Sequence, residues 1–260
     1  MYFKIHDVGH GFCAHLLHDN NSLMLWDCGH KSEPENRPSI FLPALGIQTV
    51  HRLIITNYDQ DHISDLTNLR QAVDIKILRK NPSITSQQLR KLKEESGSIS
   101  SAMESLLSMM DIYTGDVTEP PSFPNVTFET FHCVYPDDFQ DTNNLSMVSF
   151  LKTPMGSFMI PGDLEKPAWE KLLKNTTFQE NLRHTTVFVA SHHGRTNGYC
   201  EDVFEYCSPS VVIFSDGPKQ YASQEEVATY AKHATGIPFN GETRYVLTTR
   251  NDGNLTWNSN

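Results

Sequence analysis

Four short stretches of the chain carry carboxylate and imidazole side chains just after apolar runs: Asp7 to His10 in DVGHG, Asp59 to His62 in TNYDQDH, Asp163 in FMIPGD, and His192 with His193 in VASHHG. A loop that leaves a buried strand is held by a rigid scaffold yet faces solvent, so ligands are commonly placed there. Carboxylate oxygen and imidazole nitrogen together suit Zn²⁺, Mn²⁺ or Fe, and one carboxylate can bridge two ions about 3.5–4 Å apart. Such a centre acidifies water and clamps a phosphoryl oxygen, which permits hydrolysis without a serine or cysteine nucleophile. Each stretch also has a plainer reading by itself. Asp61 with His62 could cap the helix of ISDLTNL, Asp163 could cap that of EKPAWEKLL, the paired histidines could be surface groups, and DVGHG could be a glycine turn. The recurrence of the pattern in four loops favours the metal.

The elements that must position these loops follow from periodicity and breakers. YFKIHDV, FCAHLL, SLMLWD and RLIIT read as strands punctuated by Gly9, Gly11 and Gly29, and SDLTNLRQA offers a helix capped by Ser64. DIKIL is a further strand. Residues 82–122 are polar, helix-prone and Met-rich, and read as a helical pair inserted in one domain spanning 1–260. Leu106, Leu107, Met109 and Met110 there suit packing, and a protein partner docking through the 82–122 insertion is the other reading. NVTFETFHCVY, SMVSFLKT, GSFMIPGD, TTVFVASHHG, SVVIFSD and YVLTTR are strands again, with KPAWEKLLKN a helix and EDVFEYC and SQEEVATYAKHA helix-like.

Charge and cysteine usage narrow the function classes. A net charge of −10 argues against a protein that coats nucleic acid, because phosphate binding needs clustered Lys and Arg. Lys76, Arg79, Lys80, Arg90, Lys91 and Lys93 form the one basic run, readable as a solvated helix face or as a groove. Five cysteines without a CxxC pair suit a reducing cytosol, and no apolar run approaches bilayer length, so a soluble cytoplasmic protein with no membrane association is expected.

DVGHG with LWDCG, LIITNYDQDH, the Asn-x-Ser-x-Val of NLSMV, IPGD, SHHG and the later SDG occur in the order found in the metallo-β-lactamase fold, and the chain resembles more closely the branch of the β-lactamase-like domain of the competence protein ComEC. The resemblance covers nearly the whole chain outside 82–122. It implies an α/β fold, an αββα sandwich of two mixed β-sheets flanked by helices, with Zn²⁺ or Mn²⁺ between the sheet edges. Carried over residue by residue, Asp61 and His62 match second-metal ligands, Asp163 the bridging carboxylate and His192 the final imidazole. Asp59 matches the second motif position, and Asp27 a buried acid that orients the motif loop.

The departures from that pattern matter equally. Asn57 stands where the family has a histidine, no histidine occurs in Asn143-Asn144-Leu145-Ser146, and Tyr221 is followed by Ala222-Ser223-Gln224 without one. Arg195 replaces a small hydroxyl residue. The expectation is one well-formed site from Asp61, His62, Asp163 and His192. A second, from Asn57, Asp59 and the shared Asp163 with Asn144 as an extra donor, would be empty or hold a labile Mn²⁺ or Mg²⁺. The function expected first is a metal-dependent phosphodiesterase or nuclease on nucleic acid or nucleotides, with Asp61 at the reacting centre, His193 or Asp7 managing protons and Arg195 steadying phosphate charge. A catalytically impaired binding or regulatory subunit is the alternative, with β-lactam or thioester hydrolysis behind it.

Overall fold

In the computed structural model, which describes residues 1–115, 117–218 and 226–259, the apolar runs pair into two six-stranded sheets. The first has the order Leu255–Asn258, Tyr2–Ile5, Ala14–Leu17, Leu23–Trp26, Arg52–Ile54, Leu78–Arg79. The second runs Val246–Thr248, Val211–Phe214, Val187–Val189, Gly156–Ile160, Met147–Thr153, Thr127–His132. Both are mixed: Leu23–Trp26, Arg52–Ile54 and Leu78–Arg79 are parallel, as are the four strands from Gly156–Ile160 to Val246–Thr248, and the remaining ladders are antiparallel.

The two inner faces share one core. Phe3, Ile5, Met24, Trp26 and Ile54 of the first sheet meet Met147, Leu151, Phe158, Val189 and Ile213 of the second. Each fully buried aliphatic or aromatic side chain contributes about 1.5–3 kcal/mol. The outer faces are covered by helices. Leu25 and Leu53 pack under Phe41, Leu66 and Leu69, while Phe188 and Val212 pack under Trp169, Phe178 and Tyr230. Leu23–Trp26 is buried at every residue because both its faces are covered, which is why it reads as a continuous apolar run without alternation. The result is the αββα sandwich.

Local departures from the sequence reading have clear causes. The expected helix after the motif loop is two short ones, Gln60–Ile63 and Leu66–Ala72. Ser64 closes the first at its C-terminal end, with its side chain bonded to His30 Nδ1 at 2.7 Å, and is not the N-cap of the second. Asp65 stands at the second N-terminus without capping it, and binds Arg37 Nε and the Ser39 N–H at 2.8 Å each. Residues 82–122 contain the helices Ser86–Ser96 and Ser101–Ile112, the first begun by a capping box of Thr85 and Gln88. Leu106, Leu107, Met109 and Met110 join the core beside the first sheet, so these four side chains serve packing. The segment Tyr221–Gln224 lies outside the described residues. No helix among the described residues is long and apolar enough to cross a membrane, and all five cysteines are buried free thiols.

One buried pair gives the fold a pH dependence. His6 Nε2 lies 2.9 Å from His15 Nδ1, and the His6 ring stacks on Phe41 with centroids 4.1 Å apart. Burial, with nearby Lys4, lowers His15 to about 3, and burial with His15 and Lys4 puts His6 well below its ordinary value. A histidine whose folded pKa is depressed binds its proton more readily when unfolded, so stability is full above pH 6.5 and falls as the pH drops below it. His15 alone should remove about 2 kcal/mol between pH 6.5 and 4.5. Urea titrations at the two pH values measure this, and an unchanged midpoint would contradict it.

Candidate metal centre

Parallel pairing brings the strand ends together. Trp26 stands opposite Ile54, so Asp27 and Thr56 emerge side by side. Asp27 accepts the Thr56 N–H at 2.7 Å and also its hydroxyl, which pins the start of the TNYDQDH loop to the neighbouring strand. Across the sandwich, the strands Gly156–Ile160, Val187–Val189 and Val211–Phe214 end in register and deliver Asp163, His192 with His193, and Ser215 to the same edge. The Met147 N–H donates to Thr56 O at 2.8 Å, tying the two sheets together where the loops meet. Glycine is required at position 29 by close approach, because a Cβ there would lie 2.2 Å from the Asp61 carbonyl oxygen.

Asp61, His62, Asp163 and His193 converge, with one ligand-type atom from each within 4.8 Å of all the others. His62 Nε2 lies 3.0 Å from Asp163 Oδ1, and His193 Nε2 lies 3.3 Å from Asp61 Oδ2 and 3.6 Å from Asp163 Oδ1. His62 Nε2, His193 Nε2 and Asp163 Oδ1 are buried, yet none makes a hydrogen bond of acceptable geometry. Their far sides are fixed. His62 Nδ1 meets Asp27 Oδ2 at 2.7 Å, and His193 Nδ1 donates to Ser215 O at 2.8 Å. Each ring therefore directs Nε2 into the cluster, the arrangement in which a carboxylate or carbonyl orients a metal-binding imidazole. Polar atoms this buried are normally paired, and unpaired ones pointing at one another fit a cation.

The electrostatics agree. Burial alone would raise Asp163, but the facing His62 and His193 hold its carboxyl well below the usual range, and His193 and His62 hold Asp61 low likewise. Burial opposes charge on His193, yet Asp163 and Asp61 push it up to about 10, and Asp163 with Asp27 raises His62. Three carboxylates thus demand positive charge at this spot, which protons or a divalent ion can supply. The donor set fits Zn²⁺ or Mn²⁺.

Other expected residues fall elsewhere. In the cluster His193 stands where His192 was expected. His192 and His193 both adopt left-handed backbone, with φ of 51° and 54°, and this turn swings the second ring inward. His192 Nδ1 lies 3.7 Å from Glu165 instead. Asp7 does not reach the cluster; its carboxylate pairs with Lys31 Nζ at 2.6 Å. His10, of the same DVGHG loop, does come close, at 3.8 Å from Asp61 Oδ2, and its ring lies 4.5 Å from that of His193. Burial and His193 lower its pKa to about 4. Arg195 Nη2 is 3.0 Å from His10 Nε2 and Nη1 is 3.5 Å from His192 Nε2, so the guanidinium sits at the rim of the site.

The second half-site is engaged by protein groups. Asn57 is buried; its Oδ1 accepts the Asp59 N–H at 2.7 Å and its Nδ2 donates to Ser146 Oγ at 3.0 Å. Asp59 pairs with Lys93, and Asn144 Nδ2 bonds Asp141 at 3.0 Å while its buried Oδ1 makes no hydrogen bond. Neither Asp61 nor Asp163 is a helix cap: the residues at those N-termini are Asp59 and Glu165. The basic run splits up. Arg90 pairs with Glu104, Lys80 binds Asn81 O and Ile84 O, and Lys76 and Arg79 line a cavity of about 670 Å³ that contains none of the cluster residues. His10 had a signal in the sequence, since it shares its loop with Asp7. Lys93 had only its place in the basic run, because its reach to Asp59 depends on how a distant helix docks.

Comparison with known proteins agrees with this architecture. Residues 13–94 match the family model of the metallo-β-lactamase superfamily. ComE operon protein 3 of Bacillus subtilis (strain 168) is 27% identical over 179 residues, covering 68% of this chain and 21% of that protein. The chain therefore spans about a fifth of the length of that curated relative. Among solved structures, CmlA, a diiron β-hydroxylase from Streptomyces venezuelae, superposes with a TM-score of 0.54 at 13% identity over 98% of this chain and 53% of its own. At that identity the likeness extends to the fold alone.

Proposed function

We propose that this chain, which has the metallo-β-lactamase fold and is similar to ComE operon protein 3, is a metal-dependent phosphodiesterase with one well-formed metal site, acting on nucleotides or short nucleic acid. The observation that carries the reading is the convergence of three buried, unpaired atoms, His62 Nε2, His193 Nε2 and Asp163 Oδ1, beside Asp61. Asp61, His62, Asp163 and His193 would hold Zn²⁺ or Mn²⁺, which would supply Lewis acidity and a more acidic water. Asp27 and the Ser215 carbonyl keep the two imidazoles aimed, so the site is preorganised before substrate arrives. Arg195 offers guanidinium donors at the rim, suited to a non-bridging phosphoryl oxygen. His10 lies beside Asp61 at the same rim, where its Nε2 accepts from the Arg195 guanidinium and so holds that side chain over the site. The net charge of −10 and the dispersal of the basic run favour a small substrate over long duplex DNA.

Chelator-free protein analysed by plasma mass spectrometry should contain about one ion per chain, and hydrolysis of bis(p-nitrophenyl) phosphate should require Mn²⁺ or Zn²⁺. The engagement of Asn57 and Asp59 by protein groups favours a second reading, a binding or regulatory subunit. That reading prevails if the protein holds metal and turns over no phosphodiester.

A further inference from the structure

We propose that the Lys93 ammonium is the resident cation of the half-site beside Asp59, so that the centre takes a single divalent ion; this rests on the metal-dependent reading above. The Asp59 carboxylate stands beside the neutral amide of Asn57 and draws its counter-charge from another element. Lys93 provides it from the helix Ser86–Ser96, in direct contact with Asp59 Oδ1. Thr142 Oγ1 donates to the same carboxylate oxygen at 3.2 Å and lies 3.4 Å from Lys93 Nζ. The lysine side chain is only 15% exposed and Asp59 37%, so the pair is shielded beyond an ordinary surface ion pair.

The neighbouring atoms complete the substitution. Asn57 Oδ1, the oxygen that could have ligated a metal, accepts the Asp59 N–H, and Asn57 Nδ2 donates to Ser146 Oγ. That same Ser146 oxygen accepts the Asp163 N–H at 3.0 Å. A continuous chain of contacts thus runs from Lys93 through Asp59, Asn57 and Ser146 to the cluster. A second divalent ion beside Asp59 would have to displace an ammonium and an amide hydrogen bond. The helical pair is held against the motif loop at a second point, where Ser100 Oγ donates to Gln60 Oε1 at 2.6 Å. The pair is therefore part of the site, delivering a fixed single charge where a binuclear relative would hold a second Lewis acid.

The test is Mn²⁺ stoichiometry by equilibrium dialysis and plasma mass spectrometry, with circular dichroism melts to confirm folding. Wild type and Lys93→Arg should hold one ion. Lys93→Met and Lys93→Gln, which remove the charge, should each gain a second, weaker equivalent, and Asp59→Asn added to either should remove it. Two ions in wild type, or a single ion in folded Lys93→Met and Lys93→Gln, overturns the proposal while leaving the metal-dependent reading intact. No ion in any variant overturns both.

Discussion

On the proposed reading, Asp163→Asn should strip the protein of tightly bound metal and lower phosphodiester turnover by about a thousandfold or more, since the Lewis acid it would help to hold would supply several kcal/mol of transition-state stabilisation. Asp163 Oδ1 faces both His62 and His193, so the substitution removes the central charge of the cluster and sets an amide against two imidazole nitrogens. The backbone of residue 163 should hold, because its N–H is bound by Ser146 Oγ independently of the side chain. Metal content and initial rates at saturating Mn²⁺ measure the effect. Full metal occupancy in the variant would mean that Asp163 is not a ligand.

Gly194→Ala should destabilise the protein by about 2–5 kcal/mol and loosen metal binding with it. Gly194 has φ of +78°, and a Cβ there would come 1.8 Å from the buried ring of Phe214. The alanine must leave the left-handed region or displace a core aromatic, and either moves the turn that aims His193. Urea denaturation with and without added Mn²⁺ should show a lower midpoint and a smaller gain on metal addition. A variant with wild-type midpoint and gain would show that the turn has slack which its contacts do not reveal.

The layers of the sandwich were legible because buried strands such as Leu23–Trp26 and Val211–Phe214 are unbroken apolar runs, the first stopping at Asp27 and the second at Ser215 and Asp216. The convergence of Asp61, His62 and Asp163 could be anticipated from the loops that follow such strands. Which of two adjacent histidines faces inward could not. His192 and His193 differ only through a pair of left-handed backbone angles that no local propensity dictates. The DVGHG loop posed a similar ambiguity: Lys31 captures Asp7, and His10 is left facing Asp61. Lys93 was legible only as one of a basic run; its contact with Asp59 is set by how the helix Ser86–Ser96 docks, which no local pattern reveals.

The pairing of the first and last described strands bears on how the protein responds to force. Tyr2 stands opposite Asn258 and Ile5 opposite Leu255, and the Ser259 N–H bonds Met1 O at 3.1 Å. Tension applied through the two ends would load this antiparallel ladder one rung at a time, like a zipper, and would not shear all its hydrogen bonds at once. Peeling starts at the end of the sheet remote from the loops of Asp61, Asp163 and His193 and reaches the DVGHG turn last. Under gentle pulling the edge strand should detach first, leaving the cluster of His62, Asp163 and His193 assembled behind it.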